Sequence, residues 1–335
     1  MDIQEFSSQL LLCPSCHGQL SGGQCADCGE HFVSRLGILD LRWPKPSQRE
    51  IKEEELVRKM LEQFESSTFN DLSELVRQHR FSDFSEELLT NLRHRALKPE
   101  QLGQRMMDMF EQRLSKYYAM RDKGIALDLG CGYGTATVSL AQHFNWVVSI
   151  DLYLPVLLLA RKFLDEHKAL NVVLVQAYAQ NIPIRDGYVD YAVAQNVIEH
   201  LFEVAPAFHE VRRVLREGGC FCGDSRNRYD LFFPEPHVKL RWVGLFPRKL
   251  QPWYVHKFKN VSYSDAHAYL LSWRELHRYA HQSFGDSMCI VLPLVSAYGQ
   301  SSKWDKWIER IDRVPILRKF FLLFFPSHLL LARSI

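Results

Sequence analysis

The chain has 335 residues, 47% hydrophobic and 24% charged, with a formal net charge of +2. That length supports one large domain plus a small module, and the near-neutral balance argues against a generally basic nucleic-acid binder. The start, Met1-Asp-Ile-Gln-Glu-Phe6, lacks the basic and apolar regions of a secretion signal, and the longest apolar runs, Leu154 to Ala160 and Phe320 to Phe325, are too short to span a bilayer; the expectation is a cytoplasmic protein.

Four of the eight cysteines, Cys13, Cys16, Cys25 and Cys28, form two C-x2-C knuckles within the first thirty residues. Each knuckle presents two thiolates from one tight turn, which suits tetrahedral Zn²⁺. A disulfide pair is the alternative, and the missing secretion signal argues against it. So short a segment has too little core to fold alone, so the metal would supply most of its folding energy. His17 and His31 are spare ligands beside a shell that four cysteines fill. Cys131, Cys220, Cys222 and Cys289 sit singly on apolar segments and read as small core residues.

Trp43-Pro-Lys-Pro46 reads as a linker, because two prolines stop a helix and hold the chain extended. From Gln48 to about Arg121 the pattern is helical, with Leu56, Met60, Leu61 and Phe64, then Leu102, Met106, Met109, Phe110 and Leu114, at helical spacing. Pro99 suits the first turn of the second of these helices. The predicted organisation is a ribbon over 1–43, a helical linker or lid region over 44–122, and a large domain over 123–335.

From Lys123 onward strands alternate with helices, which predicts a mainly parallel sheet with helices on both faces. Strands are predicted at Ile125–Leu129, Trp146–Ile150, Val172–Gln176, Val189–Ala194 and Gly219–Asp224, followed by Met288–Leu292 and His328–Ala332. Helices are predicted at Leu154–His167, Glu203–Arg216 and Ala266–Ser283. In such a sheet, ligands lie outside the carboxyl ends of the strands, so the loops after Leu129, Ile150, Gln176, Ala194 and Asp224 share one rim.

The first of these loops is the most informative stretch. Asp128-x-Gly130-x-Gly132-x-Gly134 joins a short apolar strand to an apolar helix. Glycines there allow a sharp turn and close backbone approach to a ligand, and the helix N-terminus offers unpaired N–H groups. The spacing is not the G-x-G-x-x-G of a dinucleotide site. Asp151 closes the second strand, where an acid can hydrogen-bond both ribose hydroxyls.

These motifs, with Asn181-Ile-Pro-Ile-Arg-Asp-Gly-Tyr-Val-Asp190, Asn196-Val-Ile-Glu-His-Leu201 and Arg213-Val-Leu-Arg-Glu-Gly-Gly219 in order, resemble the class I S-adenosylmethionine-dependent methyltransferases of the type 11 group. The resemblance implies a Rossmann-like, seven-stranded, mostly parallel sheet. It also implies contacts to S-adenosylmethionine from Asp128, Gly130, Cys131, Gly132, Gly134, Asp151, Leu152, Tyr178, Ala179 and Asn196. Tyr178 stands where the family often places an acid for the adenine amino group. Leu11-Leu-Cys-Pro-Ser-Cys-His-Gly-Gln-Leu20, Cys25-Ala-Asp-Cys-Gly29 and Gly37-Ile-Leu-Asp-Leu41 resemble a Trm112-like zinc ribbon, which implies a structural metal and a surface for protein docking.

Methyl transfer from a sulfonium needs mainly in-line positioning, and a hydroxyl acceptor also needs a general base. His237 in Pro234-Glu-Pro-His237 and His200 after the fourth strand are the candidates, with Asp224, Asn227 and His256 behind them. The segment from about 228 to 263 reads as a substrate insert. Its interleaved basic and aromatic residues suit an anionic acceptor such as a lipid-linked glycan, a nucleotide-sugar or RNA, or else form an ordinary lid. Asn227-Arg-Tyr229, Pro234-Glu-Pro-His237, Phe246-Pro-Arg248, Tyr263 and the Ser272-Trp-Arg-Glu-Leu276 helix resemble bacterial methyltransferases of surface-polysaccharide biosynthesis.

The resulting expectation is methylation of a glycan, glycolipid or related small-molecule hydroxyl. rRNA guanine methylation and a non-catalytic scaffold are the alternatives. The apolar C-terminal segment Ile316 to Pro326, with basic residues before and within it, either packs against the sheet or lies on the inner face of a membrane.

Overall fold

The computed structural model describes residues 2–46, 54–80, 99–118, 124–235, 238–260, 263, 269–294, 296 and 303–335. The N-terminal module comprises α1 (Ile3–Leu10), the short strands β1 (Leu20–Ser21) and β2 (Gln24–Cys25), and the hairpin of β3 (Ser34–Arg35) and β4 (Ile38–Asp40). Three helices follow, α2 (Glu54–Gln63), α3 (Phe69–Arg80) and α4 (Pro99–Leu114). The large domain then alternates β5 (Ile125–Leu129), α5 (Thr135–His143), β6 (Trp146–Asp151), α6 (Leu154–Glu166), β7 (Val172–Gln176), β8 (Val189–Ala194), α7 (Val204–Val214) and β9 (Leu215–Arg226). It closes with α8 (Gln251–Lys259), α9 (Trp273–Phe284), β10 (Met288–Val291), α10 (Lys303–Asp312), α11 (Pro315–Phe324) and β11 (Ser327–Arg333).

The sheet runs β10-β11-β9-β8-β5-β6-β7-β4-β3. Its seven strands from β10 to β7 are the expected mostly parallel sheet, with β11 antiparallel to both neighbours. The winding reverses between β5 and β8, which pair in parallel through Ala126, Leu127 and Asp128. Two further strands extend it to nine, because the ribbon hairpin adds to the edge: Leu39 and Asp40 pair in parallel with Val175 and Gln176. An edge strand otherwise presents unpaired backbone groups, and the ribbon covers this one. It is also fastened by Phe6 stacked on Trp146 at 4.3 Å between ring centroids.

The sequence of α6 is apolar nearly all round, with nine buried residues from Leu154 to Leu164. A helix of that kind needs cover on more than one side. The sheet supplies one cover and helices α2 and α3 the other: Leu56, Met60, Phe64 and Phe69 share a core with Leu157 and Phe163. The helices expected as a linker or lid thus form a second layer here. Gly103 lets α4 approach α5 closely, since a Cβ there would lie 2.2 Å from the Thr135 carbonyl oxygen.

Arg113 on α4 is buried to 1% exposure and donates to Asp312 Oδ2 at 2.8 Å and to the Leu292 carbonyl at 2.7 Å. Burial pushes the Asp312 carboxyl up, and the Arg113 charge opposes that rise. This pair ties α4 to α10 and to the loop after β10.

Two expectations shift. Helix α9 begins at Trp273 rather than Ala266, because Ser272 and Glu275 form a reciprocal capping box there; residues 266–268 lie outside the described residues. The strand expected from Gly219 starts at Leu215, directly after α7. No helix among the described residues is long and apolar enough to cross a membrane.

Candidate cofactor and acceptor site

The glycine turn is strapped to the end of β6. The N–H groups of Gly130 and Cys131 both donate to the Ile150 carbonyl, at 2.7 and 3.0 Å. Gly130, Gly132 and Gly134 all have left-handed backbone, at φ +71°, +51° and +82°, a region costly for other L-residues. Their surroundings differ. A Cβ on Gly130 would strike Val197, whereas one on Gly132 would meet nothing within 4 Å. Gly132 therefore faces open space beside the turn, the position where a ligand can come close to bare backbone.

Asp151 stands across that space. Its Oδ2 accepts the Gly132 N–H at 2.9 Å and its Oδ1 accepts the Tyr153 N–H at 3.0 Å. The turn after β7 lies alongside, with the Ala177 N–H on the Asp151 carbonyl at 3.2 Å and Gln176 Nε2 on the Leu152 carbonyl at 2.9 Å. Leu152, Tyr178 and Ala179 are half-buried on this rim. Asn196, also half-buried, takes a left-handed φ of +52° after β8, and its N–H donates to Asp224 Oδ1 at 2.9 Å. The expected cofactor residues are thus brought to one edge, apart from two that lie beneath it.

Asp128 and Cys131 are those two. Asp128 is fully buried and accepts from Thr137 Oγ1 at 2.6 Å, with Ser149 Oγ 3.1 Å from the same hydroxyl. Burial pushes its carboxyl up to about 7, against the Thr137 hydrogen bond and with the charge of Asp151. It holds α5 to the sheet from below the turn. Burial likewise pushes the Cys131 thiol well up, so it is a packing group and not a thiolate.

The expected bases separate. His200 is exposed on a turn of 3-10 helix, Ile198–His200, that follows β8 on the rim. His237 lies outside the described residues. Asn227 is buried, and its amide nitrogen donates to the carbonyls of Leu323 and Phe325, at 3.1 and 2.8 Å; it braces the chain end instead. Asp224 is buried beneath Asn196, and His256 is exposed on α8.

Sequence reading missed Arg226, the last residue of β9. With Arg228, Asp230, Phe233, Glu235, Trp242 and Leu270 it lines a small cleft at the carboxyl end of that strand. Its place at a strand's carboxyl end was the available signal.

In the ribbon, the four cysteine sulfurs lie within 4.8 Å of one another, with Cys13–Cys28 at 3.7 Å and Cys16–Cys25 at 3.5 Å. About 2.3 Å Zn–S bonds in a tetrahedron need sulfurs about 3.8 Å apart, so the donor set fits the metal. The N–H groups of Cys28 and Asp27 lower the Cys25 thiol to about 7. Cys16, despite the favourable Gly18 N–H, is pushed up to about 12 by its sulfur neighbours and burial. Such a cluster becomes four thiolates when a cation holds it.

The ribbon also shapes the cofactor rim. Asn181 Nδ2 donates to the Pro14 carbonyl at 3.0 Å, and the Leu12 N–H to the Pro183 carbonyl at 3.0 Å. From the other side, Arg213 binds the Ile182 and Ile184 carbonyls at 2.7 and 2.8 Å. The loop after β7 is clamped between them.

Residues 127–223 match the family described as Methyltransferase domain. Among curated proteins, an uncharacterised methyltransferase of Bacillus subtilis, YcgJ, is 23% identical over 55% of this chain and 64% of its own length. The demethylmenaquinone methyltransferase of Lactiplantibacillus plantarum is 27% identical over 41% and 59%. An uncharacterised 37.1 kDa transposon protein of Streptomyces fradiae is 37% identical over 28% of each chain. These matches span 28 to 64% of the relatives' own lengths. Among solved structures, Haemonchus contortus phosphoethanolamine N-methyltransferase 2, in complex with S-adenosyl-L-methionine, is 16% identical over 66% of this chain and 51% of its own, with a TM-score of 0.44.

Proposed function

We propose that this chain, whose residues 127–223 match the Methyltransferase domain family, is a class I S-adenosylmethionine-dependent methyltransferase that transfers a methyl group to a hydroxyl of a glycan, glycolipid or related small molecule. The observation that carries the reading is the pairing of Gly132, open to a ligand, with Asp151 beside it. Gly130, Gly132 and Gly134 would hold the methionine end, Asp151 and Leu152 the ribose, and Tyr178, Ala179 and Asn196 the adenine side and the path to the acceptor. When bound, the cofactor supplies a methyl group on a sulfonium, already activated for displacement.

The rest falls to this chain's own residues. Arg226 and Arg228 line the neighbouring cleft together with Asp230 and Glu235, so it offers a polar acceptor both signs of charge, through charge-assisted hydrogen bonds. Phe233 and Trp242 offer it apolar walls. His200 at the rim, or His237 in the insert, takes the acceptor proton, since an imidazole titrates near neutrality. Cys13, Cys16, Cys25 and Cys28 hold a structural Zn²⁺, which keeps the ribbon folded against the rim.

The basic, aromatic insert supports one second reading, methylation of rRNA. Incubating the zinc-loaded chain with methyl-labelled cofactor and either a membrane glycolipid extract or ribosomal RNA separates them. Label in the glycolipid, absent with Asp151→Ala, is the expected result. Label in RNA alone replaces the acceptor, and cofactor binding without transfer to either indicates a scaffold.

A further inference from the structure

Helix α11, Pro315–Phe324, has an apolar sequence, yet among its ten residues only Leu322 is fully buried. Ile316 is 77% exposed and Phe320 60%, and Trp304 on α10 is 60% exposed. Chains of this composition normally bury such side chains or cover them. The exposed rings are joined through Phe321, which is half-buried against the core. Trp304 meets Trp307, Trp307 meets Phe321, and Phe321 meets Phe320, with centroids 6.1, 5.2 and 5.8 Å apart.

The row continues into the insert. Phe325 lies 6.5 Å from Phe232, whose carbonyl accepts from Arg241 at 3.0 Å, and the Arg241 carbonyl accepts from Tyr254 at 3.1 Å. Trp242, Trp253 and Phe258 are each more than half exposed in the same segment. Phe233 and Trp242 also line the small cleft, so the cleft borders the aromatic surface.

Charge says what covers it. Lys306, Arg310, Arg313 and Lys319 are exposed on or beside α10 and α11, and Lys239, Arg241, Lys249, Lys257 and Lys259 are exposed in the insert. The nearby acids are already paired or hydrogen-bonded. Asp312 pairs with Arg113, Glu309 with Lys116 at 2.6 Å, and Asp230 accepts the Phe232 N–H at 2.8 Å. A second copy of the chain would bring these cations face to face and be repelled. An anionic bilayer would attract them, while rings and aliphatic side chains enter the headgroup boundary.

We propose that this aromatic and basic surface seats the protein on an anionic lipid bilayer, with the cleft opening toward the membrane. The orientation of the cleft rests on the acceptor reading above; the membrane seat does not. An acceptor carried on a lipid would then reach Arg226 and Arg228 without leaving the bilayer.

The test is co-sedimentation of the full chain with vesicles of phosphatidylglycerol and phosphatidylcholine, against phosphatidylcholine alone. Binding is expected only to the anionic vesicles, falling by about tenfold or more between low and physiological salt. Ile316→Glu and Phe320→Glu, both at exposed positions, should abolish it while leaving calorimetric S-adenosylmethionine binding unchanged. Loss of vesicle binding with cofactor binding retained therefore bears on the membrane seat alone. No binding to anionic vesicles at low salt overturns the proposal. So does equal binding by both glutamate variants, or wild-type dimerisation that these variants abolish without any vesicle binding.

Discussion

The carboxylate of Asp151 accepts the N–H of Gly132 at 2.9 Å, so the acid at the end of the second parallel strand directly shapes the glycine turn after the first. Its second oxygen holds Tyr153, and the turn itself hangs from Ile150. The backbone proposed to face the cofactor and the acid proposed to face its ribose are one unit. Asp151→Ala removes a charge-assisted hydrogen bond worth about 1.5–3 kcal/mol, which predicts roughly a 10- to 150-fold loss of cofactor affinity. Calorimetry reads it directly, and Asp151→Asn, which keeps one acceptor oxygen, should fall between.

The glycines separate fold from ligand. Gly132→Val puts a side chain into open space beside the turn, at a left-handed backbone cost of about 1–2 kcal/mol. It should fold and fail to bind cofactor. Gly130→Val adds a clash with Val197 and should lower thermal stability clearly more. Melting curves alongside binding isotherms distinguish the two.

Arg113 and Asp312 make a buried pair across α4 and α10. Arg113→Ala leaves a carboxylate buried without its charge partner, which predicts a loss of about 3–5 kcal/mol. Replacing both by apolar residues of similar volume should cost much less. Denaturant unfolding of the single and double variants measures the difference.

Asp128 predicts a pH dependence. Its folded carboxyl titrates at about 7, above the ordinary value of about 3.9. Below pH ~4 both states carry the proton; between ~4 and ~7 only the folded state keeps it. Stability therefore falls as pH rises through that window, by at most about 4 kcal/mol from this group, and then levels. Asp128→Asn keeps an oxygen for Thr137 and should flatten that part of the profile, as followed by unfolding at pH 4, 5.5 and 7.

Metal loss should reach the cofactor. The ribbon clamps the loop after β7 through Asn181 and Leu12 and caps the sheet edge through β4. A chelator strong enough to remove Zn²⁺ should release one metal per chain, lower the melting temperature and weaken S-adenosylmethionine binding. Cys16→Ser should do the same without chelator, with metal content read by elemental analysis.

Much of this was legible in the residues. Val172–Gln176 and Val189–Ala194 are short branched runs with turn residues on both sides, and the strands keep those bounds. That Gly130, Gly132, Gly134 and Asp151 would meet at one rim was legible too, because loop backbone and strand ends obey local rules. The ribbon hairpin joining the sheet was not legible, since strands of two and three residues carry no period and their partner lies over a hundred residues away. The buried Arg113 was hidden for the same reason: on α4 alone it reads as a solvated charge, and only Asp312 from the far end of the chain explains its burial. Helix α11 answers only in part to packing: Leu322 enters the core and Phe321 packs against it, while Ile316 and Phe320 stay exposed.

The most direct measurement is titration of S-adenosylmethionine into the zinc-loaded full chain by calorimetry, beside Asp151→Ala and Gly132→Val. The account predicts saturable binding at one site per chain, weakened by the first substitution and abolished by the second, with both variants folded. Absence of binding to the folded wild-type chain, or equal binding by all three, would contradict it.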